Sequence, residues 1–222
     1  MSKLKDETKR TRILQAATKV FSQRGFAFAK INEIARDASV ADGTIYLYFK
    51  NKDDLLLAVF EHNMNLLIPH MKKALETSSH PLEKLRIFIE THLALVTDHK
   101  DLARVFQLEL QKTQSFMQTP NNLKLEEYLS ILEDIIRAGQ EENLLRRDFS
   151  APLIKRVIFG ALTDTALEWL IASTDVPSLV ESAEQIYQMM VGGLAGKTLS
   201  EGASLSKSKI KVQSEIGAVP AV

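Results

Sequence analysis

The chain has 222 residues, 45% apolar and 25% charged, a balance that supports a packed core and excludes wholesale disorder. It contains no cysteine, which removes disulfides and thiolate metal sites, and no apolar run approaches the roughly 18 to 20 residues of a membrane span; a cytoplasmic protein without a membrane partner is expected. The net charge of zero hides a split, because residues 1–52 carry 11 Lys+Arg against 5 Asp+Glu and the remainder carries 17 against 23. A basic first quarter fits a polyanionic partner, although a solvated charged face gives the same count.

Helical periodicity dominates and nothing reads as a run of strands, so the fold class is all-α. Ile13, Ala16, Ala17, Val20 and Phe21 form an apolar stripe that stops at Gly25, a residue able to end a helix at positive φ. Ile31, Ile34, Ala35 and Ala38 make a shorter stripe, and Ser39-Val40-Ala41 leaves room only for a tight turn. A third helix then starts near Asp42, a candidate cap, and ends before Asn51-Lys52-Asp53. With about two turns it is too short to be stable alone, so neighbours must hold it.

At 100° per residue, Ile45 and Phe49 of that short helix turn inward to meet Val20, Phe21, Ile34 and Val40. Gly43, Thr44 and Leu47 fall on the opposite side, with Tyr46 and Tyr48 flanking them. Such a face suits a DNA groove: glycine permits close approach, threonine bonds phosphate or a base edge, leucine touches a thymine methyl, and the phenols reach phosphates. Helix, turn and short helix together describe a helix-turn-helix, with Lys52 opening a following helix whose amide end attracts phosphate. A plain helical subdomain with a half-exposed aromatic flank fits the same periodicity. Lys3, Lys5, Lys9, Arg10 and Arg12 are candidates for a phosphate-tracking arm or for an ordinary solvated terminus.

From Lys52 an apolar pattern runs through Leu55, Leu56, Val59, Phe60, Met64, Leu67, Ile68, Met71 and Leu75, with a kink expected at Pro69. Further helices are expected at about 81–97, 101–116, 122–142, 150–173 and 177–195, with Pro81, Pro120, Pro152 and Pro177 at or near their starts. The expected organisation is a helix-turn-helix domain over 1–51 with its motif at about 30–49, an antiparallel helical bundle over 52–195, and a flexible Ser/Lys/Gly/Ala-rich tail over 196–222. No HExxH, phosphate-binding glycine loop or cysteine nucleophile is present, and His62, His70, His80, His92 and His99 are scattered, so no catalytic residue, metal or cofactor is assigned.

AAxxxFSxxG at Ala16 to Gly25 and INEIARDASVADGTIYLYFKNKDDLL at Ile31 to Leu56 resemble the TetR family of bacterial transcriptional regulators. The resemblance implies a DNA-binding homodimer on a palindromic double-stranded operator, usually as a repressor. On this reading Lys30, Asn32, Asp42, Gly43, Thr44, Tyr46, Leu47, Tyr48 and Lys52 form the DNA-binding set. Two positions depart from the family: Ala29-Lys30 stands where a capping Ser or Thr is frequent, and Tyr48 where His is common. The resemblance also implies a dimer made by the last two helices, with Val157, Ala161 and Thr165 on one and Ile186 and Met190 on the other.

ARVFQLELQKT at Ala103 to Thr113, EEYLSILEDIIRAGQEENLL at Glu126 to Leu145 and IFGALTDTALEWL at Ile158 to Leu170 resemble the branch of that family that controls fatty-acid degradation and senses long-chain acyl-coenzyme A (acyl-CoA). Such an effector needs an apolar tunnel, for which Phe88, Phe106, Ile136, Phe159 and Trp169 are candidate walls. It also needs cations at the mouth, for which Arg86, Arg104, Lys112, Arg137 and Arg156 are candidates, each also suited to a surface ion pair. Glu109 and Asp164 stand in apolar stretches where an unpaired buried charge is costly. They would pair with Arg104 or Arg156, or would neutralise a cationic drug in an alternative reading as an efflux-pump repressor.

Overall fold

In a computed structural model of the chain, the described residues are 2–109, 123–172 and 176–195, and apart from one isolated bridge between Leu145 and Ala195 their regular structure is helical. The helices are α1 (Ser2–Arg24), α2 (Ile31–Asp37), α3 (Asp42–Tyr48), α4 (Lys52–Leu75), α5 (Pro81–Asp98), α6 (Lys100–Arg104), α7 (Leu123–Glu141), α8 (Ala151–Ile171) and α9 (Leu179–Leu194). Directly after α6 the backbone widens into a π-helical stretch, Val105–Glu109. The expected continuation to 116, Lys112, Pro120 and the tail from 196 lie outside the described residues.

Local chemistry accounts for most boundaries. Gly25 takes φ 75°, the left-handed conformation that closes α1 at little steric cost. α4 starts at Lys52 as expected, and Asn51 caps it by accepting from the Asp54 amide at 2.8 Å. Ala41 stands at the cap of α3, so Asp42 is its first helical residue rather than the expected cap. Before α2 the Glu33 carboxylate accepts from the Lys30 amide at 3.3 Å, the half of a capping box that does not depend on a hydroxyl at position 30. α4 runs from Lys52 to Leu75 as one helix with Pro69 inside it.

The head, α1 to α3, closes over Val20, Phe21, Ile34, Ile45 and Phe49, all buried, with Val40 half-buried at its edge. The start of the chain is helical rather than an extended arm, and Arg10 lies over the Phe49 ring at 5.5 Å. Below the head, α4 packs on α1, α5 and α7, while α5 packs on α7, α8 and α9. α6 touches α1 as well as α5 and α8, which makes it a direct bridge between head and bundle.

Candidate nucleic-acid interface and ligand cavity

The outward side of α3 is open. Leu47 is 83% and Tyr46 58% exposed, whereas Ile45 on the opposite side is 1% exposed. Gly43 is exposed, and a Cβ added there would meet nothing within 4 Å, so no contact inside the chain requires the glycine. Close approach by an external backbone is the remaining physical use for it. Asp42, Lys30 and Asn32 are exposed beside this face, Thr44 is half-buried, and Tyr48 is half-buried against the core with its ring tilted on Phe49. Gly43, Thr44 and Leu47 share the outward side of α3, opposite buried Ile45.

Lys52 differs from expectation. Its ammonium donates to the carbonyl oxygens of Phe26 at 2.7 Å, Ala27 at 3.2 Å and Ala29 at 3.2 Å, and sits 4.6 Å from the centre of the Phe26 ring. Three acceptors and an aromatic face satisfy that cation. Its side chain therefore ties the α1–α2 loop to α4, and only the amide end of α4 remains for a phosphate.

Inside the bundle lies a cavity of about 150 Å³ whose walls include Phe60, Met64, His92, Phe106, Tyr128 and Phe159. Beside it runs an open polar groove of about 900 Å³ between head and bundle, lined by Arg12, Lys19, His70, Lys100 and also Asp37, Asp98 and Asp101. The two spaces share Leu67, Leu95, His99 and Leu102 as walls. Although the groove is larger, the cavity is the more apolar of the two spaces and suits a hydrocarbon ligand.

Of the expected wall residues, Phe106 and Phe159 line the cavity and the others do not. Phe88 is fully buried behind it against His92 and Tyr128, and Ile136 belongs to the solid core. Trp169 is half-buried under the Lys100 ammonium at 4.6 Å. Arg104 donates to the Leu170 carbonyl at 3.0 Å, and Asp164 is exposed, so no buried charge arises there. Glu109 ends the π-helical stretch, and its side chain lies outside the described residues. Among the other candidate cations, Arg86 pairs with Glu184 and covers the Tyr187 ring, Arg137 bonds Glu133, and Arg156 is exposed.

His92 and Tyr128 were not expected as cavity residues. His92 Nδ1 and the Tyr128 hydroxyl are 2.8 Å apart, and burial lowers the imidazole pKa to about 4 while raising that of the phenol. Both are neutral near pH 7. A signal existed in the spacing of His92, Leu95, Val96 and His99, which places them along one side of α5.

The expected dimer stripe divides. On α8, Val157 is 51% exposed beside half-exposed Ala161 and Thr165. On α9, Ile186 is 6% exposed and belongs to the chain's own core, while Met190 is partly buried against it. The outward apolar residues of α9 are instead Val180 at 78% and Met189 at 66%, next to exposed Gly192 and Gly193.

A helix-turn-helix head with an open recognition face, carried on a helical bundle with an internal cavity, is the architecture of a ligand-responsive transcriptional regulator. Residues 13–59 match the family described as bacterial regulatory proteins, tetR family, and residues 60–193 match the YsiA-like protein, C-terminal region; the chain belongs to the TetR family. It is 32% identical over 185 residues to the fatty acid metabolism regulator protein of Bacillus subtilis (strain 168), covering 83% of this chain and 95% of that one. A crystal structure of the transcriptional regulator FadR from Bacillus subtilis in complex with stearoyl-CoA superposes with a TM-score of 0.76 at 33% identity, covering 82% of this chain and 98% of that chain. The fatty acid degradation regulator FadR from Bacillus halodurans gives 0.75 at 30% identity, covering 83% and 98%. These relatives are transcriptional regulators, not enzymes, and no described helix is long and apolar enough to cross a membrane.

Proposed function

We propose that the protein is a cytoplasmic repressor that binds a palindromic operator as a homodimer, is released by long-chain acyl-CoA, and controls genes of fatty-acid degradation. The observation that carries this reading is the apolar cavity sharing four walls with a groove that holds Arg12, Lys19 and Lys100. The acyl chain takes the cavity and the coenzyme phosphates take Arg12 and Lys100 of the groove, Lys19 being paired with Asp37 at 2.7 Å. Similarity to a FadR that holds stearoyl-CoA supports the assignment. A lipophilic cation finds no carboxylate among the described cavity walls, which disfavours the efflux-pump alternative.

At about 150 Å³ the cavity is smaller than the roughly 300–1,000 Å³ typical of ligand sites. A long chain therefore enters only by spreading the helices, and this gives the effector its preference for a splayed state over the DNA-competent one. Movement reaches the head by two routes. α4 lines the cavity with Phe60, Met64 and Leu67 and carries the Lys52 anchor. α6 contributes Leu102 and Ala103 to the wall, while its Asp101 accepts from the Ser22 hydroxyl of α1 at 2.7 Å.

The test is a gel shift on DNA upstream of the protein's own gene, with and without stearoyl-CoA. Retardation abolished by micromolar stearoyl-CoA, and not by a lipophilic cation, is the expected result. Release by the cation alone would replace the lipid reading with the drug-sensing one.

A further inference from the structure

Several short polar side chains of the described helices satisfy themselves within their own helix. Buried Asn63 donates to the Val59 carbonyl at 2.7 Å, and the hydroxyls of half-buried Thr18 and exposed Thr97 donate to the carbonyls of Leu14 at 2.9 Å and Leu93 at 3.3 Å. This is the usual arrangement for a short polar side chain inside a helix. Three atoms depart from it: His92 Nε2, Gln107 Oε1 and Thr163 Oγ1 are buried and find no hydrogen-bond partner among the described residues. They come from α5, the π-helical stretch and α8, yet all three residues line the one apolar cavity.

An alkyl chain lying against these atoms would leave each one unsatisfied, at a desolvation cost that binding would have to offset. Gln107 Oε1 can only accept, whereas the Thr163 hydroxyl both donates and accepts. The 2.8 Å contact between the Tyr128 hydroxyl and His92 Nδ1 fits either tautomer; when the hydroxyl donates, the ring carries its proton on Nε2 and offers a donor to the cavity. A ring nitrogen, an amide oxygen and a hydroxyl, none of them partnered among the described residues, thus line the same cavity. His92 lies seven residues before His99, a shared wall of groove and cavity, which places it about 10 Å further along the α5 axis. A widened π turn supplies one of the three groups, a deviation frequent at functional sites.

We propose that His92, Gln107 and Thr163 form a polar clasp that recognises a neutral group able both to donate and to accept a hydrogen bond, an amide or a hydroxyl, on an otherwise apolar effector. The assignment rests on the acyl-CoA reading and deepens it. Within that class the group is either an amide of the pantetheine arm or a hydroxyl on the acyl chain. A thioester carbonyl only accepts and leaves Gln107 without a donor.

The test uses the full-length protein, Thr163→Val and Gln107→Met, titrated calorimetrically with stearic acid, stearoyl-CoA and 3-hydroxystearoyl-CoA. Both substitutions keep approximate volume while removing the polar atom. If an amide is recognised, both thioesters bind each variant about tenfold more weakly and stearic acid is unchanged. If a hydroxyl is recognised, 3-hydroxystearoyl-CoA binds the wild type about tenfold better than stearoyl-CoA, and the variants erase that advantage. Unchanged affinity for both thioesters in both variants would overturn the clasp while leaving the acyl-CoA reading intact, and an equal loss for all three ligands would reduce the trio to packing. Binding of no thioester by the wild type would remove the acyl-CoA reading and the clasp with it. As a check independent of ligand, the free variants should melt at or above the wild-type temperature, and a fall of several degrees would overturn the claim that these atoms lack partners.

Discussion

The head and the bundle use apolar residues in opposite ways. In the head, Phe21, Ile34, Ile45 and Phe49 close a small solid core, and the functional side is what remains outside, with Leu47 at 83% exposure. In the bundle the working surface lies between helices: Phe60, Phe106 and Phe159 stop short of filling the space among α4, α5, α6, the π-helical stretch, α7 and α8. A recognition face needs rigidity behind it, whereas a sensor needs packing that can be pushed apart. The difference predicts that substitutions on the face of the head change affinity without changing stability, and that substitutions in the cavity wall change the response to effector.

The largest effect is expected from Leu47→Glu combined with Thr44→Glu, which sets two carboxylates against the phosphate backbone. Operator affinity should fall at least about 100-fold in gel shifts, with the melting temperature unchanged within about a degree. Retained affinity would show that the head does not read DNA through α3. Val157→Glu with Met189→Glu on the outward faces of α8 and α9 should come next, giving monomers by sedimentation and operator binding weaker by at least about tenfold. Dimers that survive this pair would move the interface elsewhere.

Lys52→Met tests the seam between the two regions. Losing the ammonium's three carbonyl contacts should cost about 2 to 3 kcal/mol in urea unfolding and weaken operator binding in parallel. A loss of DNA affinity without a loss of stability would return the side chain to the phosphate contact first expected. Ala103→Leu should narrow the cavity, leaving operator affinity within about twofold while raising the stearoyl-CoA needed for release about tenfold.

A separate effect is a pH dependence confined to the bundle. His92 has its folded pKa lowered to about 4 by burial, so the unfolded chain takes up a proton that the folded chain refuses. Its contribution to stability is complete above about pH 6.5 and is lost as pH falls toward about 4. Between pH 6.5 and 5 the wild type should lose about 2 kcal/mol more than His92→Phe in urea unfolding. Equal losses would place the imidazole in contact with solvent.

The head was legible because one period answers one question there: Ile45 and Phe49 recur four residues apart, and only one neighbouring surface is available to cover them. The partners of the Lys52 ammonium were not legible because its acceptors come from a loop 23 to 26 residues earlier, and a lysine opening a helix looks the same whether it faces phosphate or carbonyl. On α9 the periodicity identified an apolar side including Ile186, but it does not say whether the chain or its copy covers that side. The cavity was the least legible feature. Free volume is a difference between how much the side chains of several helices supply and how much the helix spacing requires, and no stripe on a single helix records it. Phe88 and Phe106 look alike in sequence, yet one fills the core and the other bounds the space.

The Lys52 anchor also bears on how this protein would be re-engineered. Because the first residue of α4 is bonded to Phe26, Ala27 and Ala29, and Leu55 and Leu56 are buried one turn later, there is no hinge at position 51. A chimaera that borrows a foreign reading head should be spliced below that first turn, carrying residues 1 to about 59 as one rigid piece, since a cut at 51 would separate the lysine from the loop that it fastens.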